Sequence, residues 1–318
     1  MQKYYYSEKT KQKMRSKFGS HDRLYGKAKH RFPESAEREY IRLMNSYMRQ
    51  VKKVLEEELP KLSEEYSKEY EKAVHMDGLF DFKAFIDNFF KKMKDKMNAM
   101  EIFGKLIKRL QKIGLITKKN EISEWRRMVE KTLGVNLSED YYSGEFFDQL
   151  LEQWVDDNVS LIKTVPENML DEMRKIVTEG YENGMLPKDM AKKIEETFGM
   201  SRTHAEFIAR DQMAKLSAQI TQKEHRDAGV TKYEWSDSGD SRVRDSHKRL
   251  NGKVFSYDNP PETDGGRHCN PGEDYNCRCV AIPVFEESKI SLALQDDEGT
   301  EIYDKWERPS AWRGSDRH

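Results

Sequence analysis

Val230-Thr231-Lys232-Tyr233-Glu234-Trp235, directly after Gly229, marks the point where this chain changes character. Tyr233 and Trp235 alternate with Lys232 and Glu234, the period of a half-buried strand. Downstream, Ser236 to Gly239 is rich in turn formers, and Asp240 is placed to cap a short helix reaching Leu250. Asn251-Gly252 signals a tight turn, and Lys253-Val254-Phe255 reads as another strand. An irregular loop carrying Pro260-Pro261, Gly265-Gly266 and Pro271-Gly272 then leads into the apolar strand Val280-Ala281-Ile282-Pro283-Val284. The predicted fold class is α+β: a long N-terminal helical region followed by a small α+β module with short strands and an irregular Cys-containing loop.

Upstream, the spacing is helical. From Glu34, the positions Tyr40, Leu43, Met44, Tyr47, Val51, Val54 and Leu55 recur on one face, with a break expected at Pro60. A second stripe runs from Phe82 through Phe89, Met93 and Met97 to Leu110, and Gly114 is a natural stop. Shorter patterns follow at Ile122–Val129, Phe147–Val155 and Met169–Val177, the last opened by Pro166. Two further helices are expected at Asp189–Phe198 and Ser201–Ala228. The Phe and Met stripes are read as core. These boundaries divide the chain into residues 1–31, a basic flexible arm; 34–198, a helical domain; 200–285, the mixed module; and 286–318, an acidic C-terminal tail.

Composition narrows the function classes. Charged residues make up 36% of the 318 and the apolar set another 36%, against about 25% charged in ordinary soluble chains, so long solvated helices are expected. No apolar run reaches the roughly 20 residues of a membrane span, and the N-terminus lacks the apolar segment of a signal peptide, so a cytosolic origin and no membrane partner are expected. The 56 basic and 57 acidic residues nearly cancel, which removes any global electrostatic case for nucleic acid. Their distribution is uneven. Lys3, Lys9, Lys11, Lys13, Arg15, Lys17, Arg23, Lys27, Lys29 and Arg31 face only Glu8 and Asp22, and Tyr4, Tyr5 and Tyr6 interleave with them, a pattern suited to phosphate contact with double-stranded DNA.

All three cysteines lie between Cys269 and Cys279, too few and too close for a disulfide framework. A helix over Asp240–Leu250 would put Val243, His247 and Leu250 on one face, with Arg242, Arg244, Lys248 and Arg249 around the rest. His247 with Cys269, Cys277 and Cys279 would make a Cys3His shell, one of the standard closed zinc sites, with His268 a spare ligand. The competing reading makes His247 a core histidine and the cysteines buried thiols. His204 and His225 are expected on helix surfaces. Arg210 with Asp211 and Gln212 is a candidate polar anchor within its helix. His247 beside Asp245, Asp240 and Asn251 also allows a metal-dependent enzyme acting on nucleic acid, on a weaker signal. No nucleophile triad, Walker lysine or phosphate loop is present.

One ordered series is more specific than any of its parts: Ala209-Arg210-Asp211-Gln212, Ala228-Gly229-Val230, Tyr233-Glu234-Trp235, Asp240 to His247, Leu250 to Phe255, Pro260-Pro261, and Pro271-Gly272 ahead of Asn276-Cys277-Arg278-Cys279. It resembles the phage Mu F-like head morphogenesis domain found in minor head proteins of tailed bacteriophages, with Arg210, Trp235, Asp240, Arg244 and Gly252 among the matching positions. The resemblance implies a non-enzymatic virion component inside the capsid near the portal protein, present in the host cytoplasm during assembly. It also implies partnership with the portal and with major capsid or scaffolding protein, a role in genome packaging or delivery, and metal binding at His247, Cys277 and Cys279.

Overall fold

The computed structural model describes residues 6–28, 30–75, 79–100, 102–138 and 145–295. In order, the helices are α1 (Glu8–Phe18), α2 (Glu34–Glu58), α3 (Leu62–His75), α4 (Phe82–Asn98), α5 (Ile102–Leu133), α6 (Glu145–Glu182), α7 (Pro187–Asp227) and α8 (Asp245–Lys248). The strands are β1 (Arg23–Tyr25), β2 (Asn136–Leu137), β3 (Lys232–Ser236), β4 (Val254–Ser256), β5 (Val280–Glu286) and β6 (Leu294–Gln295). The α+β class holds. The chain forms two compact units, one from residues 35–113 and 151–210, the other from 1–34, 114–150 and 211–318.

The first unit is helical. Tyr40, Leu43, Met44, Tyr47 and Val51 of α2 are fully buried, as their 3.6-residue spacing requires, together with Phe89, Met93 and Met97 of α4. Tyr40 donates its hydroxyl to Asn158 of α6, which satisfies a polar group in an apolar core. The break at Pro60 occurs as a short 3-10 turn over Leu59–Lys61.

The second unit holds a four-stranded antiparallel sheet in the order β1-β5-β3-β4. Burial alternates along β3, so Tyr233 and Trp235 are both fully enclosed. Trp125 of α5 stacks on Phe285 of β5 at 5.9 Å and meets the His225 ring of α7 at a tilt, 5.1 Å away. A buried polar knot lies beside them. Glu121 accepts from Ser217 and Thr221 and pairs with His30 at 2.6 Å.

Several expectations need correction. Within the described residues, the segment read as a flexible arm is folded. Ser7 caps α1 through Thr10 N–H, Met14 and Phe18 are buried, and β1 pairs with Val284–Glu286 of β5. Residues 286–295 likewise end β5 and form β6, which pairs with β2, rather than beginning a loose tail. The helical region is not one 34–198 domain, because residues 114–150 belong with the sheet. Pro166 sits inside α6 and Gly199 inside α7, so the expected pairs of helices are continuous; α5 likewise passes through Gly114. The helix expected from Asp240 starts only at Asp245, because Asp240 turns its carboxylate back to the Arg242 N–H.

Candidate metal centre

Three elements bring the centre together. Strand β3 supplies Trp235, whose ring stands edge-on to His247 at 5.3 Å. Helix α8 supplies His247 one turn after Arg244, buried as its position on the inner face predicts. The loop ahead of β5 supplies Cys277 and Cys279. Two glycines make the arrangement possible. Gly252, at φ +74°, returns the chain so that its N–H meets the Trp235 carbonyl at 2.8 Å. Gly272, at φ +84°, lets the cysteine loop lie on α7, where a Cβ would stand 2.8 Å from that of Ala218.

Cys277 Sγ lies 3.4 Å and Cys279 Sγ 3.5 Å from the same atom, His247 Nδ1. A tetrahedral zinc with Zn–S of about 2.3 Å and Zn–N of about 2.0–2.1 Å separates sulfur from nitrogen by about 3.5 Å, so both sulfur–nitrogen distances match that geometry. All three are buried. The thiol of Cys279 and the His247 ring hold the Cys277 thiol well below its usual range, while its bond to Cys277 and burial push Cys279 far up. Burial works against a charged His247, but Cys277 and Asp274 outweigh it and raise its pKa.

The Cys3His shell is not what assembles. Cys269 stands outside the cluster, half-buried, with its pKa raised by burial and offset in part by a bond with Thr263. His268 is exposed and bonds the Pro260 carbonyl at 3.0 Å, so it faces away. The side chains that come together are His247, Cys277 and Cys279, a set that could hold a metal.

The supporting residues were only partly foreseen. Asp274, whose side chain is wholly buried, accepts from Tyr275 N–H, Arg267, Arg244 and His247. Asp211 of α7 accepts the Asn276 N–H at 2.8 Å and pairs with Lys215 at 2.6 Å, fixing the residue just ahead of Cys277 at its positive φ of 49°. Asp211 is therefore the anchor in the Arg210-Asp211-Gln212 stretch, whereas Arg210 makes an ordinary helical ion pair with Glu206. Asp240 holds Arg242 and Arg278, and Arg244 also pairs with Asp264 at 3.0 Å. His225, expected on a surface, is buried and bonds Tyr257 at 2.6 Å.

Of the basic residues near the N-terminus, Lys3 and Lys29 lie outside the described residues. Lys11, Arg15 and Arg23 are paired with Glu8, Glu287 and Glu286. Lys9, Lys13, Lys17, Lys27 and Arg31 are exposed. No helix among the described residues is long and apolar enough to cross a membrane.

Comparison with known proteins places this centre in a family context. No solved structure matches the chain. Over 154 residues, 47% of its length, the chain is 40% identical to an uncharacterized protein of Haemophilus influenzae (strain ATCC 51907 / DSM 11121 / KW20 / Rd), of which the match covers 33%. Residues 171–282 match the model of the family described as "Phage Mu protein F like protein". That stretch holds β3, α8, β4 and all three donors of the centre, and it makes this part of the chain a phage Mu F-like domain.

Proposed function

We propose that the chain is a structural head-morphogenesis component of a tailed phage, associated with the portal protein, whose Mu F-like module is pinned by a metal held by His247, Cys277 and Cys279. The observation that carries this reading is the coincidence of the family match over residues 171–282 with a buried donor set at metal-ligand spacing. A zinc bound there would tie α8 to the loop ahead of β5 and supply folding free energy that this small sheet lacks. Partnership with major capsid or scaffolding protein and a virion location near the portal extend the same reading.

The surroundings of the thiols favour a structural role over the nuclease-like alternative. The void lined by Cys277 and Cys279 measures about 20 Å³, room for about one water and far below the roughly 300–1,000 Å³ of ligand pockets. The helical unit supports partner contact: a largely apolar groove of about 770 Å³ runs between Leu55, Leu62, Met173, Val177, Met190 and Phe198. The exposed Lys9, Lys13, Lys17, Lys27 and Arg31 support contact with the DNA backbone.

Affinity-tagged chain isolated from infected cells tests the assignment. Portal protein and procapsids should copurify at a fixed ratio. Copurification with neither, together with metal-dependent cleavage of DNA by the purified chain, would replace this reading with the enzymatic one.

A further inference from the structure

We propose that Asp274 is the positioning residue of the metal centre, selecting the His247 tautomer that aims a lone pair at Cys277 and Cys279. The inference rests on the metal reading above and adds a residue to it. His247 has two ring nitrogens with opposite surroundings. Nδ1 faces the two sulfurs at 3.4 and 3.5 Å, and Nε2 faces Asp274 Oδ2 at 3.2 Å.

Arg244 Nη2 lies 3.0 Å from Nε2, close enough to invite a bond from the guanidinium to the ring. That same nitrogen is 3.1 Å from Asp274 Oδ2. An arginine never accepts and a carboxylate oxygen accepts twice, so with the ring proton on Nε2 both groups donate to Oδ2, and their closeness to one another follows from the shared acceptor. With its proton on Nε2, the ring leaves Nδ1 unprotonated and directed between the sulfurs. This is the usual outer arrangement of a metal-bound histidine, in which the second nitrogen donates to a carboxylate.

Asp274 is itself held rigidly. Its Oδ1 accepts from the Tyr275 N–H at 2.8 Å and from Arg267 at 2.9 and 3.1 Å, and its side chain is fully enclosed. A carboxylate with every direction occupied cannot swing away, so the His247 ring orientation is fixed from the protein side before any metal arrives. The opposite tautomer, with Arg244 donating to Nε2 and Nδ1–H donating to the Cys277 thiolate, would make the cluster a plain ion-paired core instead.

The test uses the full-length chain and zinc. Long-range proton–nitrogen NMR of the zinc-loaded wild type should place the proton of His247 on Nε2 and the metal on Nδ1. Competition with a chromophoric chelator should show zinc affinity falling roughly 10- to 100-fold in Asp274→Asn, with Asp274→Glu recovering part of it. Zinc bound through Nε2, or an Asp274→Asn affinity within twofold of wild type, overturns the positioning role while leaving the metal site standing. If Asp274→Asn fails to fold, the wild-type spectrum alone decides. A wild type that takes up no zinc overturns the metal reading and this inference with it.

Discussion

His225 and His30 show how far two buried histidines of one unit can diverge. Burial, then the charge of His30, depresses His225 to about 3, so it stays neutral in the fold. The unfolded chain takes up that proton near 6.5. The contribution of the neutral ring to stability is therefore intact above pH 6.5 and is lost as pH falls toward 3, at about 1.4 kcal/mol per unit. For His30, burial opposes the cation but Glu121 outweighs it and raises the pKa. Its contribution is complete below 6.5 and disappears as pH rises through the raised value. Denaturant unfolding of His225→Gln across pH 3–7 should show a large deficit at neutral pH, where Tyr257 loses its partner, narrowing steadily toward acid. A deficit independent of pH would mean that His225 titrates normally in the fold.

At the scale of elements, α1 and β1 are the clearest departure from what the sequence displays. Three apolar anchors, Met14, Phe18 and Leu24, are buried among eleven residues that are otherwise polar, basic or glycine, too sparse for any periodicity to stand out. What orders them is distant in sequence: the open edge of β5, Glu286 and Glu287 opposite Arg23 and Arg15, and the Leu292 backbone, which both donates to and accepts from the Tyr6 hydroxyl. No local pattern encodes such partners. By contrast, β3, β4 and β5 were readable because alternation and the Asn251-Gly252 turn are local signals, and the α2 stripe was readable because its apolar face is buried along its length. That His247, Cys277 and Cys279 converge is legible in the sequence; what separates Cys269 from them is not, because spacing in a loop does not fix direction. Phe18→Ala should then cost about 3–5 kcal/mol, as for a fully buried aromatic, whereas a flexible arm would register nothing in thermal or denaturant melts.

The same scale carries a second expectation, at the junction of α7 with the cysteine loop. Asp211→Ala removes charge-assisted bonds to Asn276 N–H and Lys215 and leaves a strained backbone without its tether. A loss of about 1.5–3 kcal/mol is expected, together with faster thiol labelling of Cys277 and Cys279 in metal-free protein. Labelling rates equal to wild type would show that the loop holds its place without α7.

For the whole molecule, the division of labour does not follow chain order, and this changes which pieces can be cut. The family match ends at residue 282, inside β5, yet β5 continues to Glu286 to reach β1. The sheet unit draws on α5, from well before the matched stretch: Trp125 stacks on Phe285, and Met128 Sδ accepts the Ala28 N–H. A 200–285 fragment would therefore keep β3, β4 and the His247–Cys277–Cys279 cluster but lose the strand at one edge, the stacking partner of Phe285 and the Glu121 carboxylate that Ser217 and Thr221 satisfy. Leaving those hydroxyls and that aromatic surface unpartnered costs about 1–3 kcal/mol for each polar group and more for the ring, against a stability of only about 5–15 kcal/mol for a whole domain. The fragment should remain largely unfolded even with zinc, showing weak near-ultraviolet dichroism and no cooperative melt, while the full chain melts cooperatively with Trp235 shielded from quenchers. A zinc-loaded 200–285 fragment that melts as sharply as the full chain would make the metal sufficient and reduce α1, β1 and α5 to decoration on an autonomous domain.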